Sequence, residues 1–312
     1  STLLPNTTLF RSNIYLNDQA ERLAWLKENV PKLPGSGIIY TLTKRDARIV
    51  SDWLNHCGID AAPYYSDVSD ANFESTNEYR EHLEDALYNN DIKVLVATSA
   101  LGMGYDKPDL SFVIHYQAPD SIITYYQQVG RAGRAINKAY GILLSGKEDE
   151  DIHEYFRSSA FPPEARVKDI LNKIEQEDGL SVPKLLQHLN YKKGQIEQVL
   201  KYLSVEEPSP IYKFGTQWKR TAVNYQMDTE KVERLTNQRW EEWNEVKNYV
   251  ETKSCLMLFL QNALDDKNKT NCGKCANCLS ANQLPIKIEF ENLTKARSEE
   301  RRVGKECIYR WS

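Results

Sequence analysis

Apolar positions in the first 145 residues change period several times. Leu23, Leu26 and Val30 share one side of a helix predicted over 18–30, with Asp18 near its start. Gly37-Ile38-Ile39-Tyr40, an apolar run opened by a glycine, has the character of a buried parallel strand. Helical spacing returns over 44–56 through Ala47, Val50 and Leu54, then stops at Gly58. Ala61–Tyr65 reads as a strand, 72–88 as a helix through Phe73, Tyr79, Leu83 and Leu87, and Ile92–Thr98 and Phe112–Tyr116 as further strands. A helix over 121–132 and a strand over Tyr140–Leu144 complete the series, while residues 1–17 read as a lead-in containing Phe10-Arg11-Ser12-Asn13-Ile14. Strands alternating with helices predict an α/β unit with a parallel sheet covered on both faces. Ligands of such sheets bind beyond the carboxyl ends of the strands.

The pattern changes after the charged stretch Lys147–Asp151. Phe161-Pro162-Pro163-Glu164 reads as a linker into a helix over 164–177. Helices over 181–189, with Ser181 as N-cap, and 192–203 follow, then a hairpin of Ile211–Gly215 and Thr216–Arg220 turning near Gly215. Three helices and a hairpin match a winged helix. Lys192 and Lys193 open its third helix, and Lys213, Trp218, Lys219 and Arg220 lie on its wing. Ten Lys/Arg stand against eight Asp/Glu over 164–222, so this unit is only mildly basic, and both DNA and protein remain open as its partner. Residues 228–264 form a long helical stretch, or a helical hairpin, through Val232, Leu235, Trp240, Trp243, Val246 and Val250.

Composition narrows the function. The 312 residues carry a net charge of −4, which argues against nucleic-acid binding by bulk charge and leaves local patches. No apolar run reaches the roughly 18 residues of a membrane span, so no membrane partner is expected. Four of the six cysteines, Cys255, Cys272, Cys275 and Cys278, cluster late with intervals of sixteen, two and two residues. Four thiolates make a closed tetrahedral site that suits structural zinc, with an iron–sulfur cluster as the alternative, in a protein of the reducing cytoplasm. A closed site also argues against a zinc-dependent hydrolase. Residues 297–307, with Trp311-Ser312 as continuation, resemble the translation of a common sequencing adapter. Residues 297–312 are therefore expected to be an artefact, whose removal takes the net charge to −6 and Cys307 out of any metal argument.

Two segments carry candidate phosphate chemistry. In Gln127-Gln128-Val129-Gly130-Arg131-Ala132-Gly133-Arg134 the arginines are three apart and would share one face of a helix. Arg suits phosphate oxygens, and the small residues allow close approach. The same run also reads as a loop with two solvated arginines. It follows a strand, which suits a site at the carboxyl edge of the sheet. In Ala97–Pro108, Thr98 can donate to a phosphate, Gly102 and Gly104 give access, and Asp106 can accept from a ribose hydroxyl or pair with an arginine; a tight strand-to-helix turn is the plainer reading.

Gly37–Tyr40, Ala97–Pro108 and Gln127–Arg134 resemble, in order and spacing, the second RecA-like domain of superfamily 2 helicases. Gly102-Met103-Gly104, Lys107-Pro108 and Tyr125–Arg134 look like the RecQ family in particular, and the cysteine spacing is similar to its zinc subdomain. The resemblance implies an ATP-dependent DNA helicase translocating 3′ to 5′, with Arg134 as the finger reaching the γ-phosphate and Arg131 beside it. It implies nucleotide contacts from Gln127, Gly104 and Asp106, and DNA contacts at a single-strand/duplex junction from Tyr40, Thr98 and Lys107, with the winged-helix residues named above. Its middle motif couples nucleotide state to the DNA strand. The chain departs from the family at Tyr65-Ser66-Asp67, where His-Ala-Gly is usual, at Ala135-Ile136, where an acidic-Gly pair is usual, and in placing the winged helix before the zinc helices. No G-x-x-x-x-G-K-[ST] loop and no Asp-Glu-x-His box occurs. The ATP cradle and Mg²⁺ ligands are thus expected in a first RecA-like domain preceding Ser1, joined in cis. The expected organisation is a second RecA-like domain over 1–158, a winged helix over 159–224, a helical zinc module over 225–285, a tail over 286–296 and the artefact beyond. This fragment alone should be inactive. The reading from another class is a non-hydrolysing DNA-binding or adaptor protein with the same fold.

Overall fold

The computed structural model describes residues 8–309 except 103, 268 and 283, with backbone alone at residue 8 and over 301–309. Its first elements are β1 (Thr8–Tyr15), α1 (Gln19–Asn29), β2 (Gly37–Tyr40), α2 (Lys44–His56), β3 (Ala61–Tyr64), α3 (Thr76–Tyr88), β4 (Val94–Ala97), β5 (Phe112–His115), α4 (Ile122–Val129), β6 (Lys138–Ser145) and α5 (Glu148–Ser158). Next come α6 (Glu164–Gln176), β7 (Leu180–Ser181), α7 (Val182–His188), α8 (Lys193–Ser204), β8 (Ile211–Phe214), β9 (Gln217–Arg220), α9 (Thr229–Glu251), α10 (Leu256–Ala263), α11 (Ala276–Leu279) and α12 (Phe290–Tyr309).

Two compact units result, one of residues 1–151 with 242–312, the other of 152–241. The segment bearing the four cysteines thus belongs to the same unit as the parallel sheet. That sheet has six strands in the order β1-β6-β5-β2-β4-β3, all parallel. Of its inner strands, β2, β4 and β5 are buried along their whole length, as their apolar runs require. Side-chain caps set the helix starts: Asp18, Thr43 and Ser75 accept from the backbone N–H of Glu21, Asp46 and Glu78. The Ser75 cap explains why α3 begins at Thr76 and not at 72; Phe73 lies in the preceding turn with its ring 4.9 Å from that of Tyr79.

The lead-in over 1–17 is corrected by β1. Residues 8–15 pair with 138–145 of β6 along their full length. Arg11, Ser12 and Asn13 interrupt its apolar character, yet Arg11 and Ser12 are buried. A second buried arginine, Arg22 of α1, is held by the Asp149 carboxylate at 2.8 Å. Gly141 of β6 lets α4 lie on the sheet, since a Cβ there would sit 2.4 Å from Cγ2 of Val129.

The second unit has its own core of Val167, Ile170, Ile174, Leu185, Ile196, Val199 and Leu203 from α6, α7 and α8. A three-stranded antiparallel sheet, order β7-β9-β8, flanks them. The predicted helical stretch over 228–264 is broken at 252–255 between α9 and α10, so Cys255 caps α10.

Candidate active site and metal centre

Ser121 starts α4 by accepting from the N–H of Thr124 at 3.1 Å, and the helix stops at Val129, not at 132. Beyond it the chain is pinned by two backbone bonds: the N–H of Gly133 donates to the Leu110 carbonyl and that of Ala135 to Pro108, each at 2.8 Å. Gly133 has φ +83°, a conformation that a side chain would strain. Leu110 and Pro108 precede β5, so the arginine segment sits at the amino edge of the sheet. The carboxyl edge expected from its place in the sequence is therefore corrected. α4 begins near the carboxyl ends, and the turn after it carries the chain back.

The two arginines do not share a face. Arg131 is 6% exposed; its guanidinium donates to the carbonyls of Tyr105 (2.7 Å) and Gly102 (3.0 Å). It braces the glycine loop from below. Arg134 keeps 46% of its side chain exposed and pairs with the Asp106 carboxylate at 2.8 Å. Gly104 is exposed with open space where a Cβ would lie, and Gln127 is exposed.

The stretch from Thr98 to Ser111 joins the carboxyl end of β4 to the amino end of β5. The strands are parallel, so this stretch must run back along the sheet for about 13 Å, the length of four strand residues. Thr98, whose N–H donates to the Tyr64 carbonyl at 3.0 Å, marks one edge. Asp106, paired with Arg134, marks the other. A single loop thus touches both edges.

Two residues expected to contact DNA are buried. Lys107 is 1% exposed, with Nζ donating to the Asp109 carboxylate (2.7 Å) and the Tyr88 carbonyl (2.8 Å). That hydrogen bond, above all, holds the Asp109 carboxyl below its usual range. Tyr40 is buried and stacked on His115 with centroids 5.5 Å apart. Burial pushes its phenol up to about 12, partly offset by the nearby Arg131 charge. Thr98 is itself nearly buried.

His115 is enclosed behind this cluster. Its Nε2 donates to Oε1 of Gln128 at 2.8 Å, and desolvation lowers its pKa to about 4. The folded state therefore holds a neutral ring that the unfolded chain protonates below about 6.5. Stability should fall by about 3 kcal/mol as pH drops from about 6.5 to about 4, then level off. Denaturant unfolding across this range should show a shallower fall in His115→Gln; parallel profiles would remove His115 as the source.

In the second unit Lys192, Lys193 and Lys213 are exposed, Lys193 lying 3.7 Å from Glu197. The Lys213 amine lies over the Trp218 ring at 5.8 Å. Lys219 pairs with Asp178 at 3.3 Å. Arg220 is turned in, donating to the carbonyls of Pro210 (3.0 Å) and Val223 (3.1 Å), so it offers the least to a ligand. Sequence reasoning missed Tyr212 and Phe214, the latter 68% exposed. Their register partners, Lys219 and Gln217, are polar, which is the signal that nothing apolar covers them.

Cys255, Cys272, Cys275 and Cys278 place their Sγ atoms within 4.8 Å of one another. A tetrahedral zinc–thiolate site needs sulfurs about 3.8 Å apart, so the set fits. Two of the pairs, Cys255–Cys272 and Cys275–Cys255, are 3.5 and 4.0 Å apart. The N–H groups of Cys272, Leu256 and Cys275 donate to Sγ of Cys255, Cys275 and Cys272 at 3.2, 3.4 and 3.3 Å, favouring thiolates. At Cys255 burial acts upward, but the backbone donors of Cys272 and Leu258 bring the thiol down to about 7. Burial and its bonds to Cys275 and Cys255 push Cys278 up to about 12. Thiol ligands bind metal as thiolates, so a cation bound here would release protons. Among the described residues no helix is long and apolar enough to cross a membrane.

Residues 21–136, ending just beyond Arg134, match the family described as helicase conserved C-terminal domain. A Synechocystis protein named ATP-dependent DNA helicase RecQ is 28% identical over 79% of this chain and 50% of its own length. ATP-dependent DNA helicase Q1 of Pongo abelii is 43% identical over 36% of this chain and 16% of its own. A mimivirus protein with a provisional name as an ATP-dependent RNA helicase is 37% identical over 47% of this chain and 26% of its own. The chain thus spans at most half the length of these relatives. The arginine segment and the loop that spans the sheet thus fall within the residues that match the helicase conserved C-terminal domain, and the chain is similar, over part of their length, to RecQ-type helicases.

Proposed function

We propose that this chain forms the C-terminal portion of an ATP-dependent 3′–5′ DNA helicase of RecQ type. The observation that carries the reading is the exposed Arg134, fixed at the amino edge beside Asp106, on a loop whose other end, Thr98, lies at the carboxyl edge. Arg134 stabilises charge on the transferring phosphoryl group, and Asp106 holds the guanidinium ready until nucleotide arrives. Arg131 acts as a positioning residue that keeps the Gly102–Tyr105 stretch in register. Thr98 lies at the edge where the strand would pass, so closing of the nucleotide cleft would be transmitted along the loop. ATP and its Mg²⁺ would be cradled by a first RecA-like domain joined in cis.

The second unit is read as a winged helix. Lys192, Lys193 and Lys213 supply phosphate contacts, and Trp218, Tyr212 and Phe214 supply surfaces on which bases stack. The four cysteines are read as a structural zinc site, because four thiolates leave no open position for chemistry.

ATPase and unwinding assays on the intact protein test this reading. Single-stranded DNA should stimulate hydrolysis, and a duplex with a 3′ tail should be separated while one with a 5′ tail is not. DNA binding without hydrolysis would support the non-hydrolysing adaptor instead, and a preference for RNA duplexes would reassign the substrate.

A further inference from the structure

A line of aromatic side chains, half-buried at Phe259 and buried beyond it, runs from the cysteine cluster to the arginine segment, within one compact unit. Cys255 caps α10, and Phe259, one turn on, meets the Tyr249 ring edge-on at 5.4 Å. Tyr249, at the end of α9, is fully buried. Its ring lies 5.1 Å from that of Tyr125 on α4, with the hydroxyls 3.3 Å apart. Tyr125 lies 4.9 Å from His115, which stacks on Tyr40 and bonds Gln128 near the end of α4. Tyr40 lies within reach of the Arg131 charge.

Tyr249 is also tied to the sheet edge. Its carbonyl accepts from Nδ2 of Asn13 on β1 at 2.9 Å. Arg11, two residues earlier, is buried with Nε and Nη2 unpaired among the described residues, and its charge acts on Tyr125 and Tyr249. α10 lies against α4 and α11 against β1. The module that carries the cysteines therefore abuts the helix that leads into the arginine segment, with a pair of tyrosines at the join. A bound metal would fix Cys255 and so the start of α10, which fixes Phe259 and Tyr249. The Tyr249–Tyr125 contact then limits how α4 can shift on the sheet.

We propose that Tyr249 is a positioning residue through which metal occupancy at the four cysteines sets the order of α4 and the Gly130–Arg134 segment. Its consequence for catalysis rests on the reading of Arg134 given above, but its structural part does not. Coupling of this kind is established only by perturbing one end and reading the other.

The experiment is amide hydrogen exchange on the full 312-residue chain loaded with zinc, then stripped with a chelator. Stripping should speed exchange over 122–134 about tenfold, while α2 over 44–56 is unchanged. In Tyr249→Leu the exchange over 122–134 should already be fast and no longer respond to zinc. Tyr249→Phe keeps the ring and loses the hydroxyl, so it should speed exchange about fivefold and keep part of the response. It also serves if the Leu variant fails to fold. In the intact enzyme Tyr249→Phe should lower kcat with little change in KM for ATP. Exchange over 122–134 that is indifferent to zinc would overturn the proposal, as would acceleration spread evenly over the unit. Full turnover in Arg134→Ala with zinc-dependent exchange intact would instead remove the arginine-finger reading and leave this one standing.

Discussion

Stripping metal from the chain, or replacing Cys272 with Ser, should unfold the segment from Cys255 to Leu279. α10 packs into the core through Leu256 and Leu260, but α11 is one turn long and 264–275 is without regular structure at its described residues. Beyond α10, order comes largely from the converging sulfurs with three backbone bonds to them, and from Asn277, which donates to the Thr252 and Ser254 carbonyls. Without a cation these thiols repel as they ionise, and protonated they lose the site. Structural zinc contributes roughly 10–16 kcal/mol of apparent binding free energy in small finger peptides at pH 7, and most of that is folding free energy. Only part is expected here, because Cys255 and Cys275 are already buried against the core. A drop in Tm of well over 5 °C should follow, with loss of helical signal confined to the module. Affinity should weaken as pH falls, since protons compete for the sulfurs. Metal analysis should return about one zinc per chain; an iron absorption band would replace zinc by a cluster.

Replacing Arg134 with Ala in the intact enzyme should lower kcat for ATP by about 10³-fold or more, the lower end of what an arginine finger contributes. Its guanidinium is exposed, and its ion pair with Asp106 is a surface one worth at most about 1 kcal/mol. Removing it should therefore cost the fold little. Arg131→Ala should behave differently. It would leave the carbonyls of Gly102 and Tyr105 without their donor and open a hole at a buried position, so stability falls together with activity. The contrast separates a group that meets the phosphate from one that holds the loop.

Much of this arrangement could be read from the chain. The inner strands announced themselves because strands buried on both faces must be apolar throughout. The cysteines did so because their spacing has few other uses. β1 did not, because Arg11, Ser12 and Asn13 look like loop residues until their partners arrive from 138–145 and from Tyr249, more than 120 residues away. Nor could the sequence say which edge of the sheet the arginines occupy. That depends on α4 ending at Val129 and on Gly133 turning the chain onto Leu110. Lys107 looked free because its acceptors, Tyr88 and Asp109, are brought to it only by the fold. The exposure of Tyr212 and Phe214 was legible in principle, from their polar partners across the hairpin.

The most direct test of the central claim measures ATP turnover and nucleotide affinity side by side in the intact protein, for the wild type, Arg134→Ala and Arg134→Lys. The account predicts that nucleotide Kd changes by less than about tenfold in both variants, while kcat collapses in Ala and recovers only slightly in Lys, whose point charge lacks the guanidinium fork. Turnover near that of the wild type in Arg134→Ala would contradict it.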